Sequence, residues 1–193
     1  MNTNLVIVSF YSYLLGSIPF GLIITSIFLK KDIRKIGSGN IGATNVLRAG
    51  NKLYAVFTLL FDILKGYLTI IITLNYFPSN IYLAGLICFL GHIFPVWLKF
   101  KGGKGVAAFL GIVLAISLKF ALLFGLIWIL ILFIFRYSSL SSITSTLVIF
   151  LYSLTLDNNS FSIYLFIMFV ILLYTHKDNI FRLRVGKENK IKF

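Results

Sequence analysis

The sequence predicts an all-α polytopic membrane protein, a bundle of about seven transmembrane helices, some of them short, with its functional face toward the cytoplasm. Composition, the lengths of the apolar runs and the placement of basic residues carry that prediction. Of the 193 residues, 59% are hydrophobic and 12% are charged, and the mean hydropathy is +0.98. A soluble domain ordinarily carries about 45–50% apolar and about 25% charged residues. This composition leaves no room for a separate soluble domain, so residues 1–193 read as one integral membrane domain.

A spanning helix needs roughly 20 apolar residues. The first run covers 4–29 and the second 53–77. The third, 81–98, follows a turn at Pro78, Ser79 and Asn80. The fourth, 105–136, is long and interrupted by Lys119. The last two, 140–156 and 161–175, are separated by the turn residues Asp157, Asn158, Asn159 and Ser160. No basic residue precedes Lys30 and the first run is longer than a signal-peptide core, so it reads as a retained helix. The single cysteine, Cys88, lies in an apolar run and reads as core; no disulfide within the chain and no zinc spacing is available.

The net charge of +13 is distributed in clusters that flank the apolar runs. That arrangement favours lipid headgroups and topology over nucleic acid. Lys30, Lys31, Arg34, Lys35, Arg48 and Lys52 follow the first run; Lys99, Lys101 and Lys104 follow the third; Lys177, Arg182, Arg184, Lys187, Lys190 and Lys192 fill the C-terminal tail. The positive-inside rule puts all three clusters in the cytoplasm and the N-terminus outside. An even number of crossings must then separate Lys104 from Lys177. Splitting 105–136 near Lys119 into two short helices satisfies this and gives seven helices; a five-span arrangement in which one hairpin fails to cross also satisfies it. No internal repeat is evident, which weakens the case for a duplicated transporter.

Four constellations carry chemistry. The first is Ser38, Gly39, Asn40, Ile41, Gly42, Ala43, Thr44 and Asn45, followed by Arg48. It is small, polar and glycine-rich between two apolar runs, where backbone can approach a ligand closely. A helix starting near Val46 would gather N–H groups at its positive end, and Arg48 could fork onto phosphate. The plain alternative is an ordinary polar loop. The second is Gly91, His92, Ile93, Phe94 and Pro95, then Gly102, Gly103, Lys104 and Gly105 ahead of another apolar run. It lacks the spacing and the preceding strand of a nucleotide-binding P-loop. A basic inside loop with glycine turns is its alternative, and His92 beside Pro95 reads as structural. The third is His176, Lys177, Asp178, Asn179, Arg182, Arg184, Gly186, Lys187 and Glu188, where His176 and Asn179 share a helical turn at the membrane boundary; a lipid-bound basic tail is its alternative. The fourth is Asp62 with Lys65 inside the second run. Each charge at mid-bilayer costs about 2.5–3.5 kcal/mol on insertion scales, so the two should pair away from lipid. Pairing for structure and positioning of a substrate remain equal readings, and Gly66 beside them allows close helix approach.

Absences narrow the chemistry. The five acidic residues are scattered, and no two are placed for acid and base roles. There is no Gly-x-Ser-x-Gly elbow. A covalent serine enzyme and a metal hydrolase are therefore disfavoured, and neither cofactor nor metal is expected. A phosphate-ester or anion transporter and a scaffold for anionic lipid stay open as other classes.

The three motifs, in order and spanning the chain from the first cytoplasmic loop to the tail, resemble those of the bacterial membrane acyl-phosphate:glycerol-3-phosphate acyltransferases, the PlsY family. Asp62, Lys65 and Gly66 are similar to that family's second helix. The resemblance implies a small helical bundle whose active site faces the cytoplasm in the bacterial inner membrane. It implies transfer of an acyl group from acyl phosphate to the 1-hydroxyl of glycerol-3-phosphate, giving lysophosphatidic acid and phosphate. Ser38, Arg48, Lys104, His176 and Asn179 match positions implied to hold glycerol-3-phosphate, with Lys104, His176 and Asn179 as the catalytic set. Gly39, Gly42, Thr44, Gly102 and Gly103 match positions implied to cradle acyl phosphate, and Asn40 and Asn45 are assigned with them. Glu188 matches a structural position, and Asp62 and Lys65 are assigned structural roles. Membrane lipids and the soluble enzyme that makes acyl phosphate are the implied partners. Two departures stand out: Ala108 replaces a threonine, and Thr175 replaces a basic residue before His176.

Overall fold

The computed structural model describes residues 3–191, all of them helix, turn or loop. Lys192 of the basic tail and the two N-terminal residues lie outside the described residues. The chain divides into two compact units, one ending at Ile116 and the other beginning at Ser117.

In the first unit the apolar run 4–29 is broken in two, as α1 (Thr3–Ser17) and α2 (Phe20–Phe28). Pro19 explains the break. It has no N–H to donate and its ring disfavours the preceding helical turn. A short helix α3 (Ala43–Arg48) precedes α4 (Lys52–Tyr76), whose first turn is capped by Asn51 accepting the Tyr54 N–H at 3.0 Å. Then come α5 (Ile81–Ile93) and α6 (Val106–Ile116). Two glycine pairs set the packing. A Cβ on Gly66 of α4 would collide with the Ala108 carbonyl of α6, and one on Gly111 of α6 with the Ile63 carbonyl of α4. Likewise Gly16 of α1 abuts the Cys88 carbonyl, and a Cβ on Gly91 of α5 would lie 2.7 Å from the Tyr13 carbonyl. Helices in lipid gain little from burying apolar surface against each other, so such close backbone approach is what holds them. Gly66 was legible in this role from sequence; Gly16, Gly91 and Gly111 were not.

The second unit comprises α7 (Leu118–Phe135), α8 (Ser138–Ser153), α9 (Asn159–Thr175) and α10 (Lys177–Arg184). The expected break in 105–136 is present, but at Ser117, which is extended (φ −156°, ψ 109°), rather than at Lys119. Only α6 is short; α7 has 18 residues. Lys119 sits in the first turn of α7 with its ammonium 4.9 Å from the Tyr152 ring centroid, so an aromatic partner accommodates the charge without ending the helix. The serine-rich α8 stays compatible with lipid because its hydroxyls are satisfied internally. Ser141, Ser142, Ser145 and Thr146 each donate to the carbonyl four residues earlier.

Among the described residues, four helical segments are long and apolar enough to cross a membrane, with α1 and α2 counted together and α5 counted with its flanking turns as Pro78–Leu98. The pair α9 and α10, bent by 63°, is a fifth if counted as one span, and α6 and α8 are shorter apolar helices. Counted together, these are seven apolar segments among the described residues, and both the seven-helix and the five-span arrangements of the charge pattern stay compatible with them.

Candidate active site

The first motif forms a braced loop rather than an open cradle. The chain enters it through a single turn at Ile33–Lys35, where Asp32 accepts from the Arg34 backbone N–H at 3.0 Å and from its guanidinium at 2.8–2.9 Å. Those bonds hold the half-buried Asp32 carboxyl at about 2. Gly39 has φ +71°, which a side chain would resist, and its N–H donates to the Ile36 carbonyl at 3.0 Å. Asn45 is the brace. Its buried amide nitrogen donates to the carbonyls of Ile33 (3.1 Å), Ile36 (2.9 Å) and Asn40 (2.7 Å), and its Oδ1 accepts the Ser38 N–H at 2.8 Å. Asn40 Oδ1 takes the Gly42 N–H at 2.9 Å. Beneath the loop, Ile33, Ile41, Val46 and Ala55 form a small core against which Leu98 also packs. The helix begins at Ala43, not Val46, and is only six residues long, so its dipole is weak. Thr44 lies in its first turn and Arg48 in its last. Ser38 and Gly39 are exposed, and Arg48 is half-buried.

The second motif folds back on the end of α5. Lys99 (φ 51°) and Phe100 (φ 61°) are successive left-handed residues that reverse the chain, at about 1–3 kcal/mol of strain each. The Gly102 N–H then donates to the Ile93 carbonyl at 2.9 Å and the Gly103 N–H to the His92 carbonyl at 3.0 Å. These are carbonyls that the helix end would otherwise leave without partners. The N–H groups of these two glycines, whose positions the resemblance implies to cradle acyl phosphate, therefore cap α5. Glycine is needed here because a Cβ at Gly102 would strike the His92 carbonyl, and one at Gly103 the His92 imidazole. Gly105 (φ +87°) lies on the Phe89 ring and opens α6. Tyr13 donates to the Phe94 carbonyl at 2.7 Å, and Trp97 Nε1 to the Ser17 carbonyl at 2.7 Å, so α1 holds the reversal in place. Lys104 is thereby carried, half-buried, on a loop fixed at both ends. Ala108 is buried in α6 with its carbonyl against Gly66.

In the second unit, His176 stands at the junction of α9 and α10 and is 2% exposed. Its Nδ1 lies 2.9 Å from the Leu172 carbonyl. A carbonyl only accepts, so Nδ1 carries the hydrogen and Nε2 is the basic nitrogen of the neutral ring. Thr175, the departure noted above, donates to the same Leu172 carbonyl at 2.9 Å and touches His176 Nδ1 at 3.3 Å. Asn179 donates to Glu188 Oε1 at 2.6 Å. Glu188 also accepts from Ser139 at 2.8 Å and from Arg182 Nε at 2.7 Å. Burial alone would raise the Glu188 carboxyl, but the bonds from Arg182, Asn179 and Ser139 outweigh it and hold it below the ordinary 4.5. The tail is further tied by the Ile191 N–H donating to the Arg136 carbonyl at 2.8 Å. Glu188 thus fixes the orientation of the Asn179 amide.

The buried charges of α4 pair as expected. Lys65 Nζ lies 2.8 Å from Asp62 Oδ1 and donates to the Ile18 carbonyl at 2.7 Å. His92 Nδ1 faces the same Asp62 oxygen at 3.6 Å, a third member that sequence spacing did not associate with the pair. Spacing within one helix reveals Asp62 with Lys65, whereas the turn of α5 that brings His92 to them leaves no local signal.

The glycerol-3-phosphate acyltransferase family matches residues 6–186. The glycerol-3-phosphate acyltransferase of Pelagibacter ubique is 52% identical over 186 residues, covering 96% of this chain and 97% of its own. That of Mesorhizobium japonicum is 47% identical, covering 99% and 98%. Among solved structures, the glycerol 3-phosphate form of PlsY (YgiH), an integral membrane glycerol 3-phosphate acyltransferase, superposes with a TM-score of 0.92 at 38% identity, covering 98% of this chain and 96% of that one. The lysophosphatidic acid form of PlsY superposes with a TM-score of 0.88.

Proposed function

The chain belongs to the glycerol-3-phosphate acyltransferase family, and from that premise we propose that it moves a fatty acyl group from acyl phosphate to the 1-hydroxyl of glycerol-3-phosphate. The products are lysophosphatidic acid and inorganic phosphate, the first acylation of phospholipid synthesis. The observation that carries this reading is the family match over 6–186, which takes in the first two motifs and the third as far as Gly186. The same span supports reading residues 1–193 as one acyltransferase domain.

The chemistry asks little of a nucleophile. Acyl phosphate is already activated: the glycerol oxygen attacks the acyl carbon, a carbon–oxygen ester bond forms, the bond to the phosphate oxygen breaks, and the hydroxyl proton leaves with phosphate. Both substrates are anions, so holding them in reacting geometry is the main task, and orientation of this kind can supply about 7–11 kcal/mol. Lys104, Arg48 and Ser38 are assigned to glycerol-3-phosphate and to the charge that develops on the departing phosphate. His176 and Asn179 align the acceptor, Asn179 through the orientation Glu188 gives it. Gly39, Asn40, Gly42, Thr44, Asn45, Gly102 and Gly103 are assigned to the acyl-phosphate side. Gly102, Gly103 and Asn45 contribute by shape, since their donors are spent on the fold. The family membership supports the bacterial inner membrane, and the basic clusters favour a cytoplasmic C-terminus, on the side where a soluble enzyme could deliver acyl phosphate.

Purified protein in nanodiscs should release phosphate and form lysophosphatidic acid from palmitoyl phosphate and glycerol-3-phosphate, and form none from acyl-CoA or acyl carrier protein. Uptake of glycerol-3-phosphate into vesicles without acylation would support a transporter instead. Lys104→Ala and Asn179→Ala should each lower kcat by at least about 100-fold in folded protein. A near-native rate in either would refute that residue's assignment.

A further inference from the structure

The motif-two loop does not hang from α5 alone; it is attached through a buried ionic cluster of α4. Asp62 and Lys65 are 2% and 3% exposed and His92 is 4% exposed, among apolar helices where each charge is costly. Lys65 spends one donor on the Ile18 carbonyl, at the α1–α2 break made by Pro19, and its charge on Asp62. Asp62 Oδ1 in turn faces His92 Nδ1, a buried nitrogen with no hydrogen bond of its own. On the other side of the same imidazole, Nε2 lies where a Gly103 side chain would be, and the His92 carbonyl takes the Gly103 N–H. One side chain and its backbone therefore join the Asp62–Lys65 pair to the residue immediately before Lys104.

A pair retained only to hold helices together would be weakly motivated, because replacing a buried ion pair with apolar residues of similar volume is often neutral or stabilising. We propose that Asp62, Lys65 and His92 are positioning residues that set the height and orientation of the Lys104 loop. This rests on the reading of Lys104 as a group that holds a reacting anion. A displacement of about 1 Å in such a group can cost about 100-fold in rate.

The test separates folding from turnover. Asp62→Asn and Lys65→Met alone should each leave a buried charge uncompensated and lower the unfolding temperature in nanodiscs. The double variant Asp62→Asn/Lys65→Met should recover that temperature to near the parent value and still show kcat at least about tenfold down, with the KM for glycerol-3-phosphate changed less than threefold. A double variant that recovers kcat along with stability overturns the proposal. His92→Leu, which keeps bulk without either ring nitrogen, covers the case in which the double variant does not fold. It should fold and lose at least about tenfold in kcat, while His92→Asn, with an amide near the Nδ1 position, should recover part of that loss. A parent-like rate in His92→Leu also overturns it. The parent enzyme and Lys104→Ala are assayed alongside. If the parent does not acylate glycerol-3-phosphate, or Lys104→Ala is fully active, the underlying reading has failed and not the positioning role.

Discussion

Replacing Asn45 by alanine removes one amide from the centre of the first loop. Four contacts disappear together: donations to the Ile33, Ile36 and Asn40 carbonyls at 3.1, 2.9 and 2.7 Å, and acceptance of the Ser38 N–H at 2.8 Å. Two amide hydrogens serve the three carbonyls, so these are not three full bonds. The bond to Ile33 is buried, and losing a buried partner costs about 1–3 kcal/mol. The others lie nearer water and contribute about 0.5–1.5 kcal/mol each at most. A total near 3 kcal/mol of local stability follows, which is about 100-fold in the opening equilibrium. Hydrogen exchange followed by mass spectrometry reads this directly: the Ser38 and Gly39 amides should exchange about 100-fold faster while those of α4 are unchanged. Turnover should fall together with the protection. If Asn45→Ala abolishes turnover but leaves Ser38 and Gly39 exchanging at the parent rate, Asn45 acts on the ligand directly and the bracing argument is wrong.

Further outcomes follow from the helix contacts and the tail. Gly111→Ala should lower the unfolding temperature, because its Cβ meets the Ile63 backbone carbonyl and α6 must shift, at about 1–3 kcal/mol. Gly125→Ala, which meets nothing within 4 Å, should leave it unchanged or raise it. Glu188 is held below its ordinary 4.5, so its contribution is complete above that value and is lost as pH falls through the lower folded value. Exchange of the Ile191 amide, corrected for its intrinsic rate, should therefore be flat from pH 7 down to about 5 and rise in stronger acid. Glu188→Gln should show the released tail already at pH 7, with reduced turnover through Asn179.

The seven apolar segments, the three polar motifs and the Asp62–Lys65 pair were all legible in the sequence, because run length, charge placement and three-residue spacing are local quantities. The uses of the polar groups were not. Glycines beside Lys104 read as a phosphate site or as turns in a basic loop, and only the fold-back of the chain onto α5 reveals that the Gly102 and Gly103 N–H groups cap a helix. Asn45 among serines and glycines looks like a ligand; its burial under Ile33 and Ile36 depends on where the chain before it goes. The break at Ser117 lacks proline or glycine, and the interruption at Lys119 drew attention two residues too far along. Pro19 carried a usable signal for the break between α1 and α2, which the continuous hydrophobicity of 4–29 masked.

The reciprocal approach of Gly66 and Gly111 has a bearing on traffic through the protein. Where α4 and α6 touch backbone to backbone, Ala108 and Ile112 lie directly on Gly66, and Ile63 and Tyr67 directly on Gly111. No methylene chain is thin enough to pass along that seam. On the proposed reaction, with Lys104 holding a reacting anion, a long-chain product would have to enter the bilayer by some other gap between helices, because α4 with α6 forms a closed wall. Bulkier residues at Gly66 or Gly111 would pry this wall open. Such variants would leak or mis-seat acyl tails of different lengths before they lost the ability to bind glycerol-3-phosphate.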